Sequence, residues 1–376
     1  MEKHLHIVSF DVPFPPDYGG VFEVFYKIRS LHDQGVRIHL HCFEYGRGQR
    51  KELEQYCESV HYYERNTGHK GLSISAPYIV SSRANEQLLK NLLADEHPVL
   101  LEGIHSTFFL ASGDLKNKRV VVRLHNVEYQ YYRQLANQSR SLAKKIFYWR
   151  ESIMLKKFEA RIAKSHALIL AMTEKDANTY RKEFGAKNVA FLPAFIGWDF
   201  PLCQEGVGTF CLYHGNLSVP ENEKVATWLL EHVFSEIELP FVIAGKNPSA
   251  QLERLAHKKQ HTCIVANPSD KEMQDLIQKA QINILPSFTN TGIKFKLLYS
   301  VFCGRHCVVN EKMTEGTDLG AACHIAAGED AFKSILTQLY RKPFDDEEIQ
   351  LRQNLLHHFY NNSLTAKRLS TWIWSN

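Results

Sequence analysis

Apolar residues along this chain fall into short unbroken runs, separated by longer stretches in which they recur every three or four positions. The runs LHIVSF (5–10), VRIHLHCF (36–43), PVLLEG (98–103), RVVVRLHN (119–126), HALILAMT (166–173) and NVAFLPAF (188–195) read as buried strands. Helical periodicity fills most of the intervals, as in VFEVFYKIRSLHDQG after the first run. At IGWDFPLCQEGVG (196–208) the periodicity lapses and Pro and Gly appear, which marks a linker. The alternation then restarts with TFCLYHGN, PFVIAG, CIVAN, INILPS and CVVN as strands, and ENEKVATWLLEHVFSEI and SDKEMQDLIQKA as helices. Strand and helix in steady alternation imply α/β units whose parallel sheets are covered on both faces. The expected organisation is a doubly wound Rossmann-like domain over 1–195, a linker over 196–208 and a second such domain over 209–358. A C-terminal helix over 359–376 is expected to return to the first domain, with Trp372 and Trp374 as packing residues. Two such domains are expected to face each other across a ligand cleft, because open α/β sheets bind at the carboxyl ends of their strands.

Composition narrows the function classes. A chain of 376 residues exceeds what one core usually holds. A formal net charge of +4 is too slight to argue for nucleic acid. The N-terminus MEKHLHIVSF has no long apolar segment of signal-peptide type, and no run reaches the roughly 18–20 apolar residues of a membrane span. The eight cysteines form no C-x-x-C, which fits reduced thiols in the cytoplasm. Nineteen histidines raise the question of metal, but no H-E-x-x-H or paired zinc spacing occurs. Neither a metal nor a resident cofactor is expected.

Each half carries glycine where its first strand turns into a helix: Gly19 and Gly20 in YGG, and Gly215 in HGN. Turn geometry explains any one of these, while their equivalent positions in two repeated halves favour a ligand. No G-x-G-x-x-G fingerprint supports a nicotinamide enzyme. TGIKFKLLYSVFCGRHCVV (291–309) reads as a helix running into a strand, and it places Lys294 and Lys296 in the first turn. The positive end of the helix dipole disfavours cations there by about 0.3–1 kcal/mol each. At about 100° per residue Lys294 falls inside the apolar arc of Ile293, Phe295, Leu297, Leu298, Val301 and Phe302, with Lys296 on the polar side. Snorkelling to water is the plain account of either lysine. A bound anion is the account that makes both favourable.

The order of these motifs resembles the family-4 glycosyltransferases of the GT-B fold over nearly the whole chain. The carrying segments are PPDYGGVFEVFYKIRSLHDQGVRIHLHCF, RLHNVEYQYYR (123–133), YHGNLSVPENEKVATWLLEHV and GIKFKLLYSVFCGRHCVV. The resemblance implies transfer of a sugar from a nucleotide-diphosphate donor to a saccharide or lipid-linked acceptor, in cell-surface glycan synthesis. Retention of configuration and independence of divalent metal are implied with it. The donor diphosphate would lie at the helix start, held by Gly292, Ile293, Lys294 and Lys296, with Gly215, Asn216 and Tyr299 also on the donor side. Lys294 and His125 are the implied catalytic residues. Gly19, Gly20, Asn126, Glu128, Glu102 and His105 would line the acceptor side.

Three departures stand out. Tyr299 replaces the family's ribose-binding Glu, the turn GNLSVPEN lacks the usual Arg and Lys, and His306 replaces a Pro. They raise, as alternatives, an unusual donor, weakened catalysis, or a catalytically impaired GT-B member that binds a nucleotide sugar or a partner. A sugar-nucleotide epimerase is a separate alternative, which would need acids and a histidine grouped for proton chemistry that the sequence does not show as a set. SRSLAKKIFYWRESIMLKKFEARIAKS (139–165) is a basic amphipathic stretch with aromatic residues. It is a candidate for peripheral contact with the inner face of a membrane. Its basic residues are spread around the helix, which instead suits a surface helix packed on its own domain.

Overall fold

The computed structural model describes residues 2–139, 141–289 and 292–375; Met1, Arg140, Asn290, Thr291 and Asn376 lie outside the described residues. The chain divides into two compact units, and Thr291, which opens the lysine motif, is among the residues not described.

The first unit is built on a seven-stranded sheet in the order β3-β2-β1-β4-β5-β6-β7. Its strands are β1 (Lys3–Ser9), β2 (Val36–Glu44), β3 (Ser59–Glu64), β4 (Val99–Glu102), β5 (Val120–Leu124), β6 (Leu168–Ala171) and β7 (Val189–Phe191). Every ladder is parallel. β5 is buried along its whole length, as expected of a central parallel strand covered on both faces. Sequence periodicity did not mark β3. It is an edge strand with a largely half-exposed burial pattern, and its run SVHYYE lacks the apolar continuity of the inner strands.

Two apolar layers flank this sheet. One collects Val24, Ile28 and Leu31 of the helix Gly19–His32 together with Ala366, Leu369 and Ile373 of the helix Asn362–Trp374. The C-terminal helix therefore packs within the first unit, with Trp372 and Trp374 partly buried against the same cluster. Asn362 fastens its start by exchanging hydrogen bonds with the Ile196 backbone at 3.0 and 2.6 Å. The other layer collects Leu155, Phe158 and Ile162 of the helix Leu142–Ala163.

The second unit holds a six-stranded parallel sheet, β10-β9-β8-β11-β12-β13. The strands are β8 (Cys211–His214), β9 (Phe241–Gly245), β10 (Thr262–Ala266), β11 (Ile282–Leu285), β12 (His306–Val309) and β13 (His324–Ile325). β13 spans only two residues at the sheet edge, too short for a periodic signal. The predicted helix 269–280 forms as Asp270–Lys279. A capping box starts it: the Ser269 side chain accepts from the Glu272 backbone, and the Glu272 carboxylate accepts from Ser269.

The linker expected over 196–208 is not a free connection. The division falls between Gly197 and Trp198, and the residues beyond it are docked on the second unit. Leu202 donates to the Phe302 carbonyl at 2.7 Å, and Gly206 and Phe344 exchange backbone bonds at 2.8 and 2.9 Å. Gly208 donates to Gln281 Oε1 at 2.6 Å. Backbone that looks irregular in sequence is thus supplied with partners by tertiary contacts.

Candidate active site

In each sheet the strand order reverses beside the first strand of its unit, between β1 and β4 and between β8 and β11. Ligands of doubly wound sheets bind outside the carboxyl ends of the strands at such a switch. The candidate residues collect at these two places, and each unit is described by itself.

In the first unit, four fully buried charged side chains form one network. Glu23 and Lys27 stand one turn apart on the helix Gly19–His32, Glu102 ends β4, and Arg123 lies within β5. Lys27 Nζ donates to Glu23 Oε2 and to Glu102 Oε1, both at 2.6 Å. Arg123 donates from Nε and Nη2 to Glu23 Oε1 at 3.1 and 2.9 Å, and from Nη1 to the Leu192 carbonyl at 2.7 Å. Burial would raise the Glu23 carboxyl, but Lys27, Arg123 and His125 overcome it and hold the group below the usual carboxylate range. His125, just past β5, lies 2.9 Å from Glu102 Oε2 through Nε2. With Nε2–H donating to that carboxylate, Nδ1 keeps its lone pair. That atom is buried and has no hydrogen-bond partner among the described residues, as is also true of His105 Nδ1. Phe10 fixes both rings, edge-on to His125 and tilted on His105, each at 5.1 Å between centroids. Gly20 permits this placement, since a Cβ there would stand 2.7 Å from Phe10 Cζ.

Two expectations are corrected here. Glu102, expected to line the acceptor side, is fully enclosed, and its two oxygens serve Lys27 and His125. It positions His125 and presents no surface to an acceptor. Glu128 is likewise buried, in the first turn of the helix Glu128–Gln138. Burial raises its carboxyl to about 7, against a lowering hydrogen bond from Asn126. The same helix start is capped by buried Glu159, which accepts from the Glu128 and Tyr129 amides at 2.9 Å each. Sequence reading missed Glu23, Lys27, Arg123 and Glu159. A four-residue Glu/Lys spacing inside an apolar helix face, and an Arg inside a run of valines, were the available signals.

In the second unit the helix after β11 spans Phe295–Cys303. Lys294 is therefore the residue before the first turn, with extended backbone, and not part of the helix's apolar arc. Its Nζ lies 3.4 Å from the Lys312 carbonyl. Lys296, assigned in sequence to the polar side, is the half-buried cation of the first turn. It donates to Asn222 Oδ1 at 3.0 Å and stands over the Tyr213 ring at 5.1 Å. Burial lowers its ammonium to about 8; Glu221 pulls upward and Lys294 downward. Glu221 itself is occupied by the Ser287 hydroxyl and by the amide and hydroxyl of Thr289. The Lys294 side chain does not itself cap the start of this helix. Beneath it, burial lowers His214 to about 3, and His214 shares a 2.9 Å hydrogen bond with Ser300.

The remaining candidates divide as follows. Gly215 packs on the side chain of Asn222, and Asn222 Nδ2 donates to the Asn216 carbonyl at 2.9 Å. Asn216 Oδ1 accepts from Ser218. Tyr299 sets its ring edge-on against Trp198 at 4.5 Å. Gly292, with φ +59°, and Ile293 group with the first unit, so the motif read as one piece changes unit at Lys294.

The helix Leu142–Ala163 differs from its expected character. Glu151, Leu155, Phe158, Glu159 and Ile162 face the core, yet Leu142, Ile146, Trp149 and Ile153 are 77%, 67%, 61% and 40% exposed. At about 100° per residue those four fall within about 60° of one another. Lys145, Arg150, Lys156 and Lys157 border this stripe, while Lys144 falls on the opposite side and Arg161 about a quarter turn away. Among the described residues, no helix is long and apolar enough to cross a membrane.

Residues 208–342 match the family described as Glycosyl transferases group 1. The chain is similar to an uncharacterised 44.6 kDa protein in the cps region of Klebsiella pneumoniae, with 25% identity over 331 residues covering 83% of this chain and 84% of that one. Among solved structures, Anabaena HepE in complex with UDP and glucose aligns over all of both chains, with 10% identity and a TM-score of 0.67. Sucrose-phosphate synthase from Thermosynechococcus elongatus aligns over 99% of this chain and 98% of its own, with 11% identity and a TM-score of 0.73.

Proposed function

From a group 1 glycosyl transferase domain carried on a GT-B fold, we propose transfer of a sugar from a nucleotide-diphosphate donor to a saccharide or lipid-linked acceptor in glycan synthesis. The observation that carries this reading is Lys296. It is a half-buried cation with a neutral hydrogen-bond partner in the first turn of a helix, inside the segment that matches the family. Backbone N–H groups and an ammonium at a helix start form a ready anion site. A diphosphate there would offset the burial of Lys296 and meet Lys294 as well. In the transfer, the bond from the anomeric carbon to the diphosphate oxygen breaks and the bond to the acceptor oxygen forms on the same face. The acceptor proton passes to the departing phosphate. Lys294 and Lys296 stabilise the charge gathering on that leaving group, with no divalent ion assigned to the step. In the first unit, His125 Nδ1 accepts a sugar hydroxyl, its ring held by Glu102 and Phe10.

The genomic setting of the Klebsiella relative, a cps region, and the UDP and glucose bound to HepE motivate this class of reaction and the first probes. UDP-glucose and related UDP-sugars are incubated with the protein in chelator, and released UDP and sugar products are measured. Turnover of any of them supports a transferase. Tight UDP binding without turnover of a full donor and acceptor panel indicates a member that binds but does not transfer.

The exposed stripe Leu142–Ile146–Trp149–Ile153, bordered by basic residues, fits the interface of an anionic bilayer, where a lipid-linked acceptor resides. The protein should co-sediment with phosphatidylglycerol vesicles and not with phosphatidylcholine ones. Ile146→Ser with Trp149→Ser should abolish that. Equal sedimentation of the variant would remove the helix from the membrane assignment.

A further inference from the structure

We propose that the second unit carries a binding site for a zinc-class divalent cation formed by His306, His324 and Glu348, separate from the sugar-transfer site. The three side chains come from three elements: His306 starts β12, His324 starts β13, and Glu348 lies in the first turn of the helix Asp346–Phe359. One donor atom from each lies within 4.8 Å of the other two. Two imidazoles and a carboxylate are a ligand set that zinc takes, a fourth position being left to water.

The tautomer of His306 is the second, independent observation. Its Nε2 lies 3.1 Å from the Lys342 carbonyl, an atom that can only accept, so Nε2 carries the proton. Nδ1 is then left with a bare lone pair. The residue is 1% exposed, and this atom has no hydrogen-bond partner among the described residues. A buried polar atom without a partner costs about 1–3 kcal/mol. Metal-bound histidines ordinarily donate their other nitrogen to a carbonyl or carboxylate, which is the arrangement His306 makes with Lys342. The Phe344 ring, edge-on at 5.3 Å, restrains the imidazole further.

Position and geometry agree with this. Val308 and His324 are register partners, and side chains alternate along a strand, so His306 and His324 project from the same face of the sheet. Their rings are tilted by 59° at 5.6 Å between centroids, so their lone pairs can converge. His324 and Glu348 are half-exposed and free to close the set toward the roughly 3.3 Å spacing of ligands about 2.0–2.1 Å from zinc. The nearby Arg352 spends its guanidinium on the carbonyls of Val301, Gly304 and Arg305. A metal here would clip the helix Asp346–Phe359 to the short edge strand β13. A second group, His4, His39 and His97, also brings its donor atoms within 4.8 Å of one another, but among the described residues it holds no buried unpartnered nitrogen. Its rings lie nearly parallel, 8–14° apart, and His4 and His39 are hydrogen-bonded to each other.

The test uses the full chain, stripped with chelator and titrated calorimetrically with ZnCl2, with Co2+ absorption and melting temperature as further readouts. Wild type should bind one Zn2+ by these ligands, melt higher with it, and give visible tetrahedral Co2+ bands. His324→Ala and Glu348→Gln, both at half-exposed positions, should each weaken Zn2+ by at least about tenfold. They should also lose the zinc-dependent rise in melting temperature, while circular dichroism shows an unchanged fold. His97→Ala should bind as wild type does. Failure of wild type to bind Zn2+, or equal affinity and stabilisation in His324→Ala, overturns the proposal. So does loss of binding in His97→Ala alone.

Discussion

Each unit buries cations beside its sheet's switch point, and the two do so in opposite ways. In the first unit Lys27 and Arg123 are matched by Glu23 and Glu102. That network is self-sufficient, and its product is a fixed His125. In the second unit Lys296 has neutral Asn222 and the Tyr213 ring for neighbours, and Glu221 is taken up by Ser287 and Thr289. Burial therefore lowers Lys296 to about 8. A compensated charge cluster holds geometry, whereas an under-compensated cation is a place for an anion. We propose that the burial of positive charge serves the scaffold in one unit and a ligand in the other.

The strongest way to break this comparison is Lys27→Met. It leaves Glu23 and Glu102 facing each other without their shared ammonium, so unfolding in urea should show a loss of about 3–5 kcal/mol. A loss under about 1 kcal/mol would mean that the network is not the scaffold described. Lys296→Met should do the reverse. Stability should be unchanged or slightly higher, while UDP affinity measured by calorimetry falls roughly ten- to hundred-fold, the worth of a charge-assisted bond of about 1.5–3 kcal/mol. Undiminished UDP binding would place the phosphate site elsewhere. Lys294→Ala should weaken UDP less, since Lys294 stands outside the helix and already reaches the Lys312 carbonyl.

Acidity sharpens the contrast. Lys296 is lowered to about 8 in the unliganded protein, and a bound diphosphate favours its charged form. Affinity is then full below pH 8 and declines above it, by roughly tenfold at pH 9 relative to pH 7. The diphosphate, with its last ionisation near pH 6, is already fully charged over that range. Wild type should show the decline and Lys296→Met should not. The smallest effect is assigned to Tyr299→Glu. Removing the edge contact with Trp198 should cost about 0.5–1.5 kcal/mol of stability. A carboxylate hydrogen-bonding the ribose should tighten UDP by roughly two- to tenfold. Unchanged affinity would place the ribose away from position 299.

Periodicity alone determined the α/β alternation, the two sheets and most strands, because a parallel strand buried on both faces must be an unbroken apolar run. It also located the YGG, HGN and lysine-bearing turns, since glycine and charge interrupt such runs visibly. The pairings, the exact helix start and the destination of each charge were decided by tertiary structure. With Phe295 as the first helical residue, Lys294 has extended backbone and helical spacing no longer places it in the apolar arc, while Asn222 and Tyr213, from other elements, enclose Lys296. Glu102 became a buried support for His125 because Lys27, 75 residues earlier in the chain, reaches it. The apolar stripe on Leu142–Ala163 emerged only once the opposite face had been claimed by the core. Local sequence records which residues can be buried. Which carboxylate meets which cation depends on chain segments brought together from far apart, and no local pattern carries that information.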